Sequence, residues 1–159
     1  MKPRALLLLL LVVGGLVVGL GTLTSTQTGG DDGVATPTPA FADGFRAHLT
    51  TVEAAAGALV DLGERRERNL LVVGQRQSAM NAALDATDAW LVQPGIPEEH
   101  PAVLEYRAGA ALIRQSMADA QSAFLRLDWD GIAAANVTLK QGTAAIAAAE
   151  DLLTSPAGD

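Results

Sequence analysis

The chain has 159 residues, 49% hydrophobic but only 4% aromatic, and a formal net charge of −7. That length suits one domain rather than two, and the acidic balance argues against nucleic acid or anionic lipid as a partner. The absence of cysteine excludes disulfides, thiolate zinc sites, iron–sulfur clusters, covalently attached haem and lipoprotein acylation.

Lys2 and Arg4 precede an uncharged apolar run over residues 5–23. Nineteen helical residues span about 28 Å, close to the hydrocarbon thickness of a bilayer. The basic N-terminus is expected to stay cytoplasmic, which places the C-terminal part outside. Residues 1–23 are therefore read as a signal-anchor helix that holds the protein at the cell membrane by a single span. The alternative is a signal peptide cleaved around residues 19–25, which would leave a secreted protein. Ala40-Phe41-Ala42 has a cleavage-site pattern but lies far from the apolar run, inside the first expected helix. Residues 24–38, rich in Thr, Ser, Gly, Asp and Pro, have too little apolar surface to offset chain entropy and read as a flexible spacer.

From residue 39 onward, apolar and small residues recur at steps of three and four in four segments, the pattern of helices packed by one face. The first stripe is Phe41, Phe45, His48, Val52, Ala55, Leu59 and Leu62; the second is Leu70, Val73, Gln77, Met80, Leu84, Thr87 and Leu91. The third runs Val103, Tyr106, Ala110, Ile113, Met117, Ala120, Phe124, Leu127, and the fourth Ile132, Ala135, Leu139, Gly142, Ile146, Ala149, Leu153. Thr38 with Pro39 starts the first helix and Gly63 ends it. Pro94-Gly95-Ile96-Pro97 separates the second from the third, whose first turn holds Pro101, and Asp128 caps the fourth. Short connections make neighbours antiparallel, so the fold class is all-α: an up-down-up-down four-helix bundle over residues 39–155, with a tail at 156–159. Arg65, Arg66 and Arg68 then fall at the membrane-distal end beside Asp128 and Asp130, where ion pairs are expected and Trp129 partly covers the end of the bundle.

Bundles often hold metals or haem. Here His48 and His100 are the two histidines, and no Glu-x-x-His or Cys-x-x-Cys-His is present. Folding the first two helices back about residue 64 sets His48 level with Met80, which makes a His–Met haem pair formally available; the commoner role for such a histidine is a hydrogen-bonded, half-buried side chain. No cofactor and no metal site is expected. His100, between glutamates and prolines, reads as a cap or solvent residue. The same arithmetic puts His48, Gln77 and Met80 level with Ala110, Ile113, Gly142 and Ile146. Either the third and fourth helices approach closely there, or a small polar ligand pocket remains at His48, Gln77, Met80, Ala110 and Gly142. No catalytic triad or phosphate loop is visible, and an enzyme is not expected. Asp128 and Asp130 are too few carboxylates for a calcium site. Asn136-Val137-Thr138 matches a glycosylation sequon but falls mid-helix. The fourth helix carries few charges, so it could bury a second face in a homodimer or against a partner helix.

Residues 94–153 combine a Pro-rich turn with a histidine (Pro94-Gly95-Ile96-Pro97-Glu98-Glu99-His100), an acidic turn (Leu127-Asp128-Trp129-Asp130) and an Ala-rich helix with a central Gly142. This arrangement resembles uncharacterised exported or membrane-attached bacterial helical proteins. Many of these are lipoproteins, whose cysteine this chain lacks, and the resemblance implies no established activity. The expected function is a membrane-tethered extracytoplasmic module for protein interaction or scaffolding. The alternatives are a small-ligand-sensing bundle, as in chemoreceptor sensor domains, and a haem or metal carrier. Sensor domains are usually flanked by two spans and a signalling output, whereas this sequence closes on Ser155-Pro156-Ala157-Gly158-Asp159.

Overall fold

The computed structural model of the chain describes residues 38–154. The apolar segment 1–23, all but the last residue of the spacer, and the tail lie outside the described residues. Four helices account for nearly all of the described chain: α1 (Pro39–Glu64), α2 (Leu70–Leu91), α3 (Pro101–Leu125) and α4 (Trp129–Thr154). No strand occurs among the described residues.

Each helix begins with a side chain that accepts an otherwise orphaned backbone N–H. Thr38 Oγ1 accepts from Phe41 N at 3.3 Å, with Pro39 in the first turn. Asn69 Oδ1 accepts from Leu71 N at 3.1 Å and Asp128 Oδ1 from Gly131 N at 2.9 Å. For α3 the cap is His100 itself, whose Nδ1 accepts from Ala102 N at 3.2 Å. The α1 and α3 C-termini close alike. Glu67 N donates to Leu62 O and Arg66 N to Gly63 O; Asp128 N donates to Ala123 O and Leu127 N to Phe124 O. These are Schellman closures, and each puts a left-handed residue just past the helix. Here those residues are Arg66 (φ 52°) and Leu127 (φ 56°), not glycine. The first helix thus runs one residue beyond the expected Gly63.

Contacts between helices fix an antiparallel bundle with α1 diagonal to α3. Phe41 and Phe45 stack on Trp90 near the end of α2. Arg46 reaches Glu150, and Glu64 accepts from Lys140, so α4 runs opposite to α1. Across the diagonal, Phe45 meets Tyr106 edge-on with ring centroids 5.7 Å apart. The seam between α3 and α4 is the tightest. A Cβ on Gly142 would lie 2.7 Å from Ile113 Cγ1 and 2.9 Å from Gly109 O, so the two backbones touch where these glycines face each other. Nearby, Ser116 Oγ donates to the buried Ala135 carbonyl at 2.8 Å.

The core follows the expected stripes for α4 beyond Ile132, which is only partly covered, and for the second half of α2: Ala135, Leu139, Gly142, Ile146, Ala149 and Leu153 are buried, as are Met80, Leu84, Thr87 and Leu91. In α1 the buried face is Phe41, Phe45, Leu49, Val52, Ala56 and Leu59. His48 and Ala55 therefore sit beside the inward positions rather than on them. No residue of α2 before Met80 is buried, and in α3 Met117, Ala120 and Phe124 are only partly covered. The bundle is closed at the end that carries the Pro-rich α2–α3 loop. It is open at the opposite end, which carries the α1–α2 and α3–α4 turns.

Candidate functional site

At the closed end, Phe41, Phe45, Trp90, His100 and Tyr106 form one aromatic cluster. The His100 ring is buried with its edge toward Phe41, ring centroids 5.4 Å apart. Burial lowers its pKa from the ordinary 6.5. Tyr106 is fully buried, and its hydroxyl donates to Asp88 Oδ1 at 3.0 Å, within 3.2 Å of Leu84 O. Burial, and after it the Asp88 charge, push the phenol well above its usual range. Arg114 spans from α3 to α2, with Nη2 2.6 Å from Asp88 Oδ2 and 3.4 Å from Asp85 Oδ1. Burial works against the Arg114 charge, but the hydrogen bond and charge of Asp88 outweigh it and raise the guanidinium pKa.

Arg114 divides the α2–α3 seam into two shallow hollows. One, of about 360 Å³, is lined by Leu91, Val92, Ala110 and Ala111 with Asp88, Arg107 and Arg114. The other, of about 210 Å³, is lined by Gln77, Asn81, Arg114, Met117, Ala118 and Gln121.

The five residues of the expected pocket occupy different surroundings. His48 is half-buried with its ring 5.1 Å from that of Trp90. Met80 is enclosed in the core. Gln77 lines the smaller hollow and Ala110 the larger. Gly142 packs on Gly109 and Ile113, the close-approach alternative. The expected level of His48 with Met80 took the turn at residue 64. The chain turns about residue 67, midway between Glu64 and Leu70, which moves the residues facing His48 toward Trp90. Among the described residues no cluster of three or more His, Asp or Glu could hold a metal, and no helix is long and apolar enough to cross a membrane.

The open end is chemically distinct. Leu70, Leu71, Leu125, Leu127 and Trp129 are 57, 70, 72, 68 and 51% exposed. The Arg68 guanidinium lies 5.5 Å above the Trp129 ring and ties the α1–α2 turn to the α3–α4 turn. The expected ion pairs with Asp128 and Asp130 are replaced. Arg65 pairs with Asp61 at 3.0 Å, and among the described residues Arg66, Arg126 and Asp130 make no ion pair. Basic and acidic side chains balance around this end: Arg65, Arg66, Arg68, Arg126 and Lys140 against Asp61, Glu64, Glu67, Asp128 and Asp130, with Lys140 paired to Glu64. At the closed end Glu98, Glu99, Glu105, Glu150 and Asp151 far outweigh Arg46 and Arg107.

The stripes placed Leu70 and Leu127 inside the bundle, and the exposed group was not anticipated. A signal was present in Leu70-Leu71-Val72-Val73: four successive apolar residues cover more than one helix face, so a single seam cannot bury them all. On the outer face of α4, Val137 and Leu152 are the exposed large apolar residues, and the rest is mainly alanine. That makes it a thinner candidate for a partner than the open end.

Comparison with known proteins returns no matching family model, no similar curated protein and no similar solved structure.

Proposed function

We propose that this protein is a non-enzymatic interaction or scaffolding module, held outside the cytoplasm by residues 1–23, that presents the open end of its bundle to a protein partner. The observation that carries the reading is the gathering of five exposed, large apolar side chains at one end of an otherwise acidic domain. Contiguous apolar surface of several hundred Å² mostly marks a contact site. The charge-free run of residues 5–23 behind Lys2 and Arg4 supports the tether. The test is site-specific photocrosslinking in the native host, with a photoreactive phenylalanine analogue at position 71 or 127, and at 104 or 137 as controls. Protein-mass adducts confined to 71 and 127 are expected; adducts at all four positions alike, or at none, would overturn the reading. Resistance of the full chain to extraction by alkaline carbonate checks the tether, and release into the wash would remove that half of the proposal.

A ligand-sensing role has separate support in the α2–α3 hollow, where Arg107, Arg114 and Asp88 surround an apolar floor. Native mass spectrometry of protein from its host decides it: extra mass on the wild type that Arg114→Ala loses would favour sensing, and clean mass would dismiss it.

A further inference from the structure

We infer that the partner at the open end is a second copy of this chain, joined in an isologous two-fold contact through Leu70, Leu71, Leu125, Leu127 and Trp129. The inference rests on the interaction reading above and names its partner.

Area is the first argument. At roughly 100 Å² for each exposed side chain, the five offer about 500 Å² per copy. Two copies would bury about 1,000 Å², the lower bound for a specific protein interface.

Charge supplies the second. A two-fold contact sets the same residues against themselves, so a patch of one sign repels its own copy. The chain is acidic overall, yet at this end the two signs balance. Arg126 and Asp130 flank Leu127 and Trp129, carry opposite charges and make no ion pair among the described residues. A second copy can supply the opposite charge to each. An acidic partner would leave Asp130 opposed, and a basic one would leave Arg126 opposed.

The third argument is the backbone at Leu127. A left-handed residue just past a helix is usually glycine, because a Cβ there crowds the following carbonyl oxygen. This chain places leucine at that position, φ 56°, and leaves it mostly in solvent. The side chain gives the monomer little burial in exchange for the strain. Covering it by a second copy supplies the missing burial.

The absence of natural cysteine makes the test unambiguous. The full chain in lipid nanodiscs carries Leu71→Cys or Leu127→Cys, with Leu104→Cys and Val137→Cys as exposed controls elsewhere on the bundle. On mild oxidation the first two should give covalent dimer at least ~10-fold above the controls, since groups near a two-fold axis meet their own copies. Equal yields at all four positions, or none at 71 and 127, would overturn the pairing. Leu127→Gly in the Leu71→Cys background separates contact from folding. It relieves the left-handed strain, so the thermal midpoint should hold or rise while dimer yield falls ~10-fold. Undiminished dimer would sink the proposal. Photocrosslinked adducts at 71 and 127 whose mass is not twice the chain would keep the interaction reading and reject the second copy. Monomer that instead gains binding to phosphatidylglycerol vesicles through the same leucines would assign the end to a lipid surface and reject both.

Discussion

His100 holds α3 in place only while it is neutral. Its Nδ1 must carry a lone pair to accept from Ala102 N. A protonated ring would lose that acceptor and set a positive charge at the positive end of the helix dipole, inside an aromatic cluster. Burial keeps the folded-state pKa below 6.5, the ordinary value. The sign follows: the unfolded chain takes up the proton first, so the stabilisation is complete above pH 6.5 and is lost as pH falls toward the lowered folded value. Glu98 and Glu99 precede the ring in its loop, and Phe41 faces it from α1. Glu53 acts in the opposite sense. Burial, then Glu150 and Asp151, raise its pKa above 4.5, so its ionised form is disfavoured by folding and protonation at still lower pH favours the native state. Thermal melts should therefore show a falling midpoint between about pH 7.5 and pH 5.5, worth about 1 kcal/mol for a lost cap. His100→Asn keeps an acceptor without a titrating group and should flatten that slope; an unchanged slope would mean that His100 is not the group responsible.

At the scale of elements, two glycines on different helices should respond with opposite signs to one substitution. Gly142→Ala drives a Cβ into Ile113 Cγ1 at 2.7 Å and the Gly109 carbonyl at 2.9 Å. Forcing the α3–α4 crossing apart costs about 1–3 kcal/mol, against a helix-propensity gain of about 1 kcal/mol. A Cβ on Gly57 meets nothing within 4 Å, so Gly57→Ala should stabilise by about 0.5–1 kcal/mol. Chemical denaturation of the pair checks both, and a stabilising Gly142→Ala would mean that the crossing is looser than the geometry describes. The α4 stripe was legible because Leu139 and Ile146 are large residues separated by small or polar ones, with the next large pair, Leu152 and Leu153, a further two turns on. The α1 register slipped at His48 because Leu49 lies beside it, and at Ala55 because Ala54-Ala55-Ala56 presents the same side chain on three successive faces. Once the connection was mislocated by three residues, the facing residue moved by six, and the His48 layer followed the error. The open end was illegible for a different reason. A heptad stripe records which residues could be buried, but it does not record whether four helices remain close enough to bury them.

For the whole molecule, the distribution of charge sets how pairing should answer to salt. The chain carries −7, and among the described residues the excess acid lies toward the closed end. The 26 residues of α1 separate the two ends, a distance of about 39 Å at the helical rise. In the proposed pair the acidic halves thus lie tens of Å apart, while the apolar contact and the balanced charges meet directly. Screening lengths are about 30 Å at 0.01 M ionic strength and about 10 Å at 0.1 M. With about 39 Å on each side of the contact, the acidic ends lie more than two screening lengths apart even at the lower value, so their mutual repulsion is largely screened at both. Energy transfer between labelled full-length copies in bilayers should therefore stay nearly level from about 0.01 M salt upward. Only the local charges remain sensitive. If Arg126 and Asp130 contributed most of the attraction across the two-fold axis, association would decline from 0.1 M upward, roughly as surface ion pairs weaken. A plateau instead assigns the attraction to the leucines and Trp129, because apolar burial does not weaken as electrolyte rises. A monotonic fall from the lowest salt would contradict an apolar contact altogether and replace it with one held by opposite charges.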